Sequence, residues 1–84
     1  MDNWKKLIEY EMKENGETFE DLVECTLNDE ELVVEFDCGY AEGKPFTLWT
    51  TNRVYFPVTY DGAEWEESVS RNPDGKPTHH FGGQ

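Results

Sequence analysis

Eighty-four residues carrying 19 acids against 7 lysines and arginines, a formal net charge of −12, describe one small acidic domain. That balance excludes direct binding to DNA, RNA or an anionic membrane, because the cations that neutralise phosphates are missing. No apolar run exceeds three residues, so no membrane span is predicted. Aromatic residues make up 14% of the chain, and each can bury ~150–250 Å², which argues for a folded core and against an acidic disordered chain. A chain this short still buries only about 60–65% of its unfolded surface, so modest stability follows. The charge is uneven: residues 1–43 hold fourteen acids and three lysines, residues 44–84 five acids and four bases. No secretory signal precedes the first periodic segment, which predicts a cytoplasmic, reducing setting.

Residues 3–15 are predicted to form a helix, with Trp4, Leu7, Ile8 and Met12 on one apolar stripe. Asp2 or Asn3 caps its start, and Asn15-Gly16 supplies a left-handed stop. Between residues 18 and 27 two signals compete. Thr18 followed by Asp21 suits a helical turn, whereas Val23, Cys25 and Leu27 alternate with polar residues and favour a strand over about 22–27. An Asn28-Asp29 turn then leads to a predicted strand over 31–37 with Leu32, Val34 and Phe36 on one face. A third strand is predicted over 45–50, followed by a three-residue hairpin closed by a left-handed Asn52, which sets Phe46 and Leu48 beside Phe56 and Val54.

Asp61-Gly62 is the strongest turn signal, predicting a type I′ hairpin that pairs Tyr60 with Ala63, Val58 with Trp65 and Val54 with Val69. In that register Pro57 falls where the third strand is only beginning, so its missing donor costs little. Glu67 falls on the core face opposite Phe56, which predicts fraying or a bulge near it. From residue 71 onward the chain is rich in Pro, Gly and polar residues and reads as a flexible tail, giving a domain over 1–70 and a tail over 71–84.

The resulting fold class is α+β: one N-terminal helix packed on a twisted antiparallel meander of four to five strands. The predicted inner face holds Val23, Cys25, Leu32, Val34, Phe36, Phe46, Leu48, Val54, Phe56, Val58, Trp65 and Val69. Trp4, Leu7, Ile8 and Met12 of the helix cover it.

Metal and catalytic readings are weak. Cys25 and Cys38 are separated by twelve residues, unlike the tight pairs of zinc sites, and adjacent His79 and His80 point opposite ways in extended backbone. Cys25 fits a small core residue and Cys38 a strand-end thiol, both among acids that disfavour a thiolate. Neither a metal nor a cofactor is predicted, and no catalytic residue is assigned. Gly82-Gly83-Gln84 matches the tripeptide of peptide-chain release factors over three tail residues only, and no function is carried over from it.

The outer sheet face is the candidate site. The predicted register lines it with Glu24, Glu31, Glu35 and Asp37, with Trp49 and Tyr55 as aromatic anchors rimmed by charge. Carboxylates on alternate strand residues lie ~6.6 Å apart, and rows of them imitate a phosphate backbone. In size, charge and α+β layout the whole chain resembles the small acidic phage proteins that block bacterial defence, the anti-CRISPR and DNA-mimicking anti-restriction proteins. The resemblance includes no sequence motif. It implies a non-enzymatic inhibitor that binds the basic groove of a nucleic-acid-binding effector. Strand edges poorly guarded by lysine leave a homodimer open beside a monomer. A second reading is an accessory or assembly protein bound through Trp49, Tyr55 and the tail, with the charge serving solubility.

Overall fold

The computed structural model describes residues 1–40 and 42–81, with Cys38 described by its backbone alone. The Cys38 thiol and Gly82-Gly83-Gln84 lie outside the described residues. Helix α1 (Trp4–Glu14) starts where the Asn3 side chain accepts the Lys6 N–H at 2.9 Å. It ends in a left-handed Gly16 at φ 74°, with the Gly16 and Glu17 amides returning to the carbonyls of Lys13 and Met12. This cap turns Glu17 inward, where it later matters. Both signals over 18–25 are realised in succession. Thr18 and Asp21 form a capping box on a single 3₁₀ turn, and β1 (Leu22–Cys25) follows at once.

The segment 28–37 departs from its predicted strand. Asn28 does not sit in a hairpin turn; it caps a short helix α2 (Asp29–Leu32), accepting the Glu31 N–H while the Glu31 carboxylate accepts the Asn28 N–H. That reciprocal pair satisfies two donors that a strand would leave to a neighbour, and it outweighs the apolar alternation. Leu32 and Phe36 are buried, but Val34 is 62% exposed. Phe36 is tied down by a bridge to Asp2 instead of by a sheet partner.

The remaining strands are β2 (Leu48–Thr50), β3 (Arg53–Tyr60) and β4 (Ala63–Ser70), giving one antiparallel sheet in the order β1-β2-β3-β4. The fold is therefore α+β, an N-terminal helix on a four-stranded antiparallel sheet, with α2 inserted between the first two strands. The β3-β4 hairpin matches its predicted register, Tyr60 with Ala63, Val58 with Trp65 and Val54 with Val69, around Asp61 and Gly62 at φ 50° and 83°. Pro57 lies beyond the last β2-β3 pair, so its missing amide removes no ladder bond. No register shift accompanies Glu67; the one irregularity lies in β1, between Leu22 and Glu24.

The link between β2 and β3 is two residues, not three. Leu48 pairs with Tyr55 and Trp49 with Val54, Asn52 is not left-handed, and the Thr50 hydroxyl accepts the Arg53 N–H at 3.0 Å to close the turn. This one-residue change sends every side chain of β3 to the other face. Tyr55 and Leu48 face α1 and are fully buried with Trp4, Ile8, Met12, Leu27, Leu32, Phe36 and Phe46. Val54, Phe56, Val58, Trp65 and Val69, all predicted for the inner face, lie with Trp49 and Glu67 on the opposite face, and all but Val58 are half-buried. Val23, also predicted inside, is exposed on the edge strand.

The helix-covered face is unusually polar, and a hydrogen-bond network makes that burial tolerable. The Tyr55 hydroxyl donates to Glu17 Oε1 at 2.6 Å and the Thr50 hydroxyl to Glu17 Oε2 at 2.7 Å. The Asn15 amide reaches both Tyr55 and Ser68, and Arg53 Nε donates to the Ser68 hydroxyl. Burial and the Glu17 carboxylate hold the Tyr55 phenol well above its ordinary range. At the other end of α1, Trp4 lies 4.8 Å from both the Phe36 and Phe46 rings and donates its indole N–H to the Lys44 carbonyl at 2.8 Å. Gly43 runs so close that a Cβ there would come within 2.5 Å of Trp4 Cζ2 and of Glu64 Oε1. Only glycine allows this approach.

Candidate protein-binding site

The six residues singled out from the sequence do not form one surface. Tyr55 is removed from the outer face by the β2-β3 register and is buried against α1 and Glu17, so it offers nothing to a partner. Glu24 and Trp49 are cross-strand neighbours on the open face, the carboxylate exposed and the indole half-buried. Asp37 is half-buried and accepts the Gly39 N–H at 2.8 Å, a local turn contact. Glu31 and Glu35 are brought together elsewhere, by α2 and the extended segment that follows it.

Those two glutamates rim a cleft of about 310 Å³ lined by Trp4, Glu31, Val34, Glu35, Phe36, Glu42 and Lys44. Its walls follow from local chemistry. The α2 capping box fixes Glu31 on one side, the bridge to Asp2 holds Phe36 at the base, and the close pass of Gly43 over Trp4 sets Glu42 and Lys44 opposite. The floor is apolar and the rim carries three carboxylates. Lys44 Nζ lies 2.5 Å from Glu31 Oε2, and this hydrogen bond, with the Asn28 amide, holds the Glu31 carboxyl below its ordinary range. Glu35 and Glu42 are exposed and have no cationic partner among the described residues. Glu42 escaped the sequence reading because it falls in a loop, and only the fold sets it across from Glu35.

The same holds along the edge strand and α2. Glu20, Glu24, Asp29 and Glu30 are all exposed, and among the described residues none is paired with a cation. No basic residue occurs between Lys13 and Lys44. With Glu35 and Glu42 of the cleft, these acids belong to one acidic strip of the chain, residues 20–42, that carries the charge asymmetry of the sequence.

The open sheet face is the other exposed feature. Trp49, Val54, Phe56, Trp65 and Val69 share it, and Phe81 of the tail lies edge-on to Phe56 at 5.5 Å, with His79 against Phe81 at 4.5 Å. The Trp65 indole N–H is satisfied by Glu67 at 3.0 Å.

As to chemistry, burial pushes the Cys25 thiol up, away from the thiolate that attacks or binds metal. Among the described residues no group of three or more His, Cys, Asp or Glu is placed to hold a metal ion, and no helix is long and apolar enough to cross a membrane. What the arrangement offers is recognition of cationic groups on an apolar base. A scan against protein-family models finds no match, and searches of curated proteins and of solved structures find no significant match.

Proposed function

We propose that this protein is a non-enzymatic inhibitor that occupies the basic nucleic-acid-binding groove of a bacterial defence protein, in the manner of anti-CRISPR and anti-restriction proteins. The observation that carries the reading is the strip of Glu20, Glu24, Asp29, Glu30, Glu35 and Glu42, exposed and without cationic partners among the described residues. A surface of unpaired carboxylates steers association with a positive groove and competes with the phosphates that groove evolved to hold.

The test is displacement of labelled DNA from purified CRISPR effectors and restriction endonucleases, followed by anisotropy at ~50 and ~300 mM salt. The protein displaces DNA from at least one of them, and the E24Q/E30Q/E35Q/E42Q variant or the higher salt weakens displacement by about tenfold or more. Absence of displacement from every enzyme, or displacement indifferent to both changes, refutes the reading.

The half-exposed aromatic row on the open sheet face favours a second reading, an accessory protein of a larger complex docked through Trp49. There Trp49→Ala abolishes binding while neutralising the strip does little.

A further inference from the structure

The cleft beside α2 has a property the rest of the acidic strip lacks. Elsewhere the carboxylates stand on open surface, where a cation gains little because water screens it. In the cleft they stand over an apolar base of Trp4, Val34 and Phe36. At about 310 Å³ it lies at the lower end of the ~300–1,000 Å³ range of small-molecule pockets, enough for one long side chain and too small for a folded segment. Lys44 shows what the rim accepts: its ammonium already sits on Glu31 while the rest of its side chain remains largely exposed. One ammonium against three carboxylates leaves the rim with an excess of negative charge that no described residue neutralises.

We infer that this cleft is a socket for a single arginine or lysine side chain of the basic partner, the aliphatic stem lying on exposed Val34 above the buried Phe36 and Trp4 and the charged head between Glu35 and Glu42. Long basic side chains bury their stems on apolar surface and keep their heads at a polar rim, which is the layout here. Arginine fits better than lysine, because a guanidinium forks between carboxylates and gives up its hydration more readily. A neutral apolar ligand would desolvate the carboxylates without repayment, and an anion would meet three of them. The inference rests on the proposal of a basic partner and adds where that partner is gripped.

The test uses the full chain labelled with ¹⁵N and ¹³C, titrated with Nα-acetyl-arginine amide and followed at the Trp4 indole N–H and the Val34 methyls. Two fragments are titrated in parallel: Nα-acetyl-norleucine amide, a stem without charge, and methylguanidinium, a charge without a stem. The arginine derivative shifts both reporters saturably and binds about tenfold or more tighter than either fragment, since stem and head act together. E35Q/E42Q removes that response, whereas E9Q/E14Q on α1 leaves it. Unmoved reporters, equal binding of methylguanidinium, or an unchanged response in E35Q/E42Q overturns the socket. If DNA displacement from an effector persists with strong salt dependence while the socket fails, the basic-partner reading stands alone. Saturable arginine binding without displacement from any effector leaves the socket standing and removes the proposed function.

Discussion

Glu66 is the side chain most at odds with its surroundings. It points to the face that α1 covers, is only 7% exposed, and its Oε2 meets no hydrogen-bond donor among the described residues. Burial, and then the charges of Glu11, Glu67 and Asp2, raise its carboxyl from the ordinary 4.5 to about 7. Glu11 on α1 is raised in the same direction, also by burial first. A group that holds its proton more tightly when folded stabilises the fold most at low pH. That contribution is complete below about pH 4.5, the value for the unfolded chain, and is lost as pH rises to about 7, where the folded carboxyl ionises. Urea unfolding at pH 5, 6, 7 and 8 will therefore show stability falling with pH over this window, by on the order of 2 kcal/mol after allowance for relaxation. Glu66→Gln flattens the profile, equalling the parent near pH 5 and exceeding it at pH 8. A variant whose profile keeps the parent's slope would exonerate Glu66.

The short helix α2 rests on one reciprocal pair, Asn28 with Glu31. Asn28→Ala should cost about 1 kcal/mol in urea unfolding, and Asn28→Ser should restore most of it, as for any helix N-cap. If Asn28→Gly proves more stable than the parent, the segment is a hairpin turn after all. Legibility in the sequence varied with how local the deciding interaction is. The α1 stripe and the Asp61-Gly62 hairpin are set by residues within a few positions of one another, and both were readable, as was the register of β4. For 31–37 the alternation of Leu32, Val34 and Phe36 was a true apolar signal, yet Asn28 and Glu31 three apart carried a competing one that decided the conformation. The face of β3 was not readable at all. Val54, Phe56 and Val58 are the more apolar set, but the helix covers Tyr55, because Asn15 and Glu17 bond its hydroxyl while Ser68 and Thr50 bond those two in turn, a convergence of three separate stretches. For the site, Glu31 and Glu35 were legible as exposed acids, whereas their union with Glu42 over Trp4 depended on Gly43 passing against the indole.

At the level of the whole molecule the sheet has two unequal faces. One is sealed by α1, and the other shows a row of half-buried aromatic and branched side chains on which Phe81 forms the visible lid. Phe81→Ala should lower stability by only about 1 kcal/mol, the worth of one aromatic pair. It should also raise the fluorescence of a hydrophobic dye several-fold, because the row it leaves open becomes contiguous. No change in dye binding would mean that the tail does not screen this face. A different consequence lies in the order in which the pieces meet. The β3-β4 hairpin closes from neighbouring residues, but α1 packs chiefly on β4, the strand farthest from it along the chain. On a ribosome adding roughly 5–20 residues per second, the helix waits several seconds for its seat to be made. Throughout that delay Trp4, Ile8 and Met12 have no hydrophobic shelter, and α1, with three acids balanced by three lysines, has no net charge of its own to hold nascent copies apart.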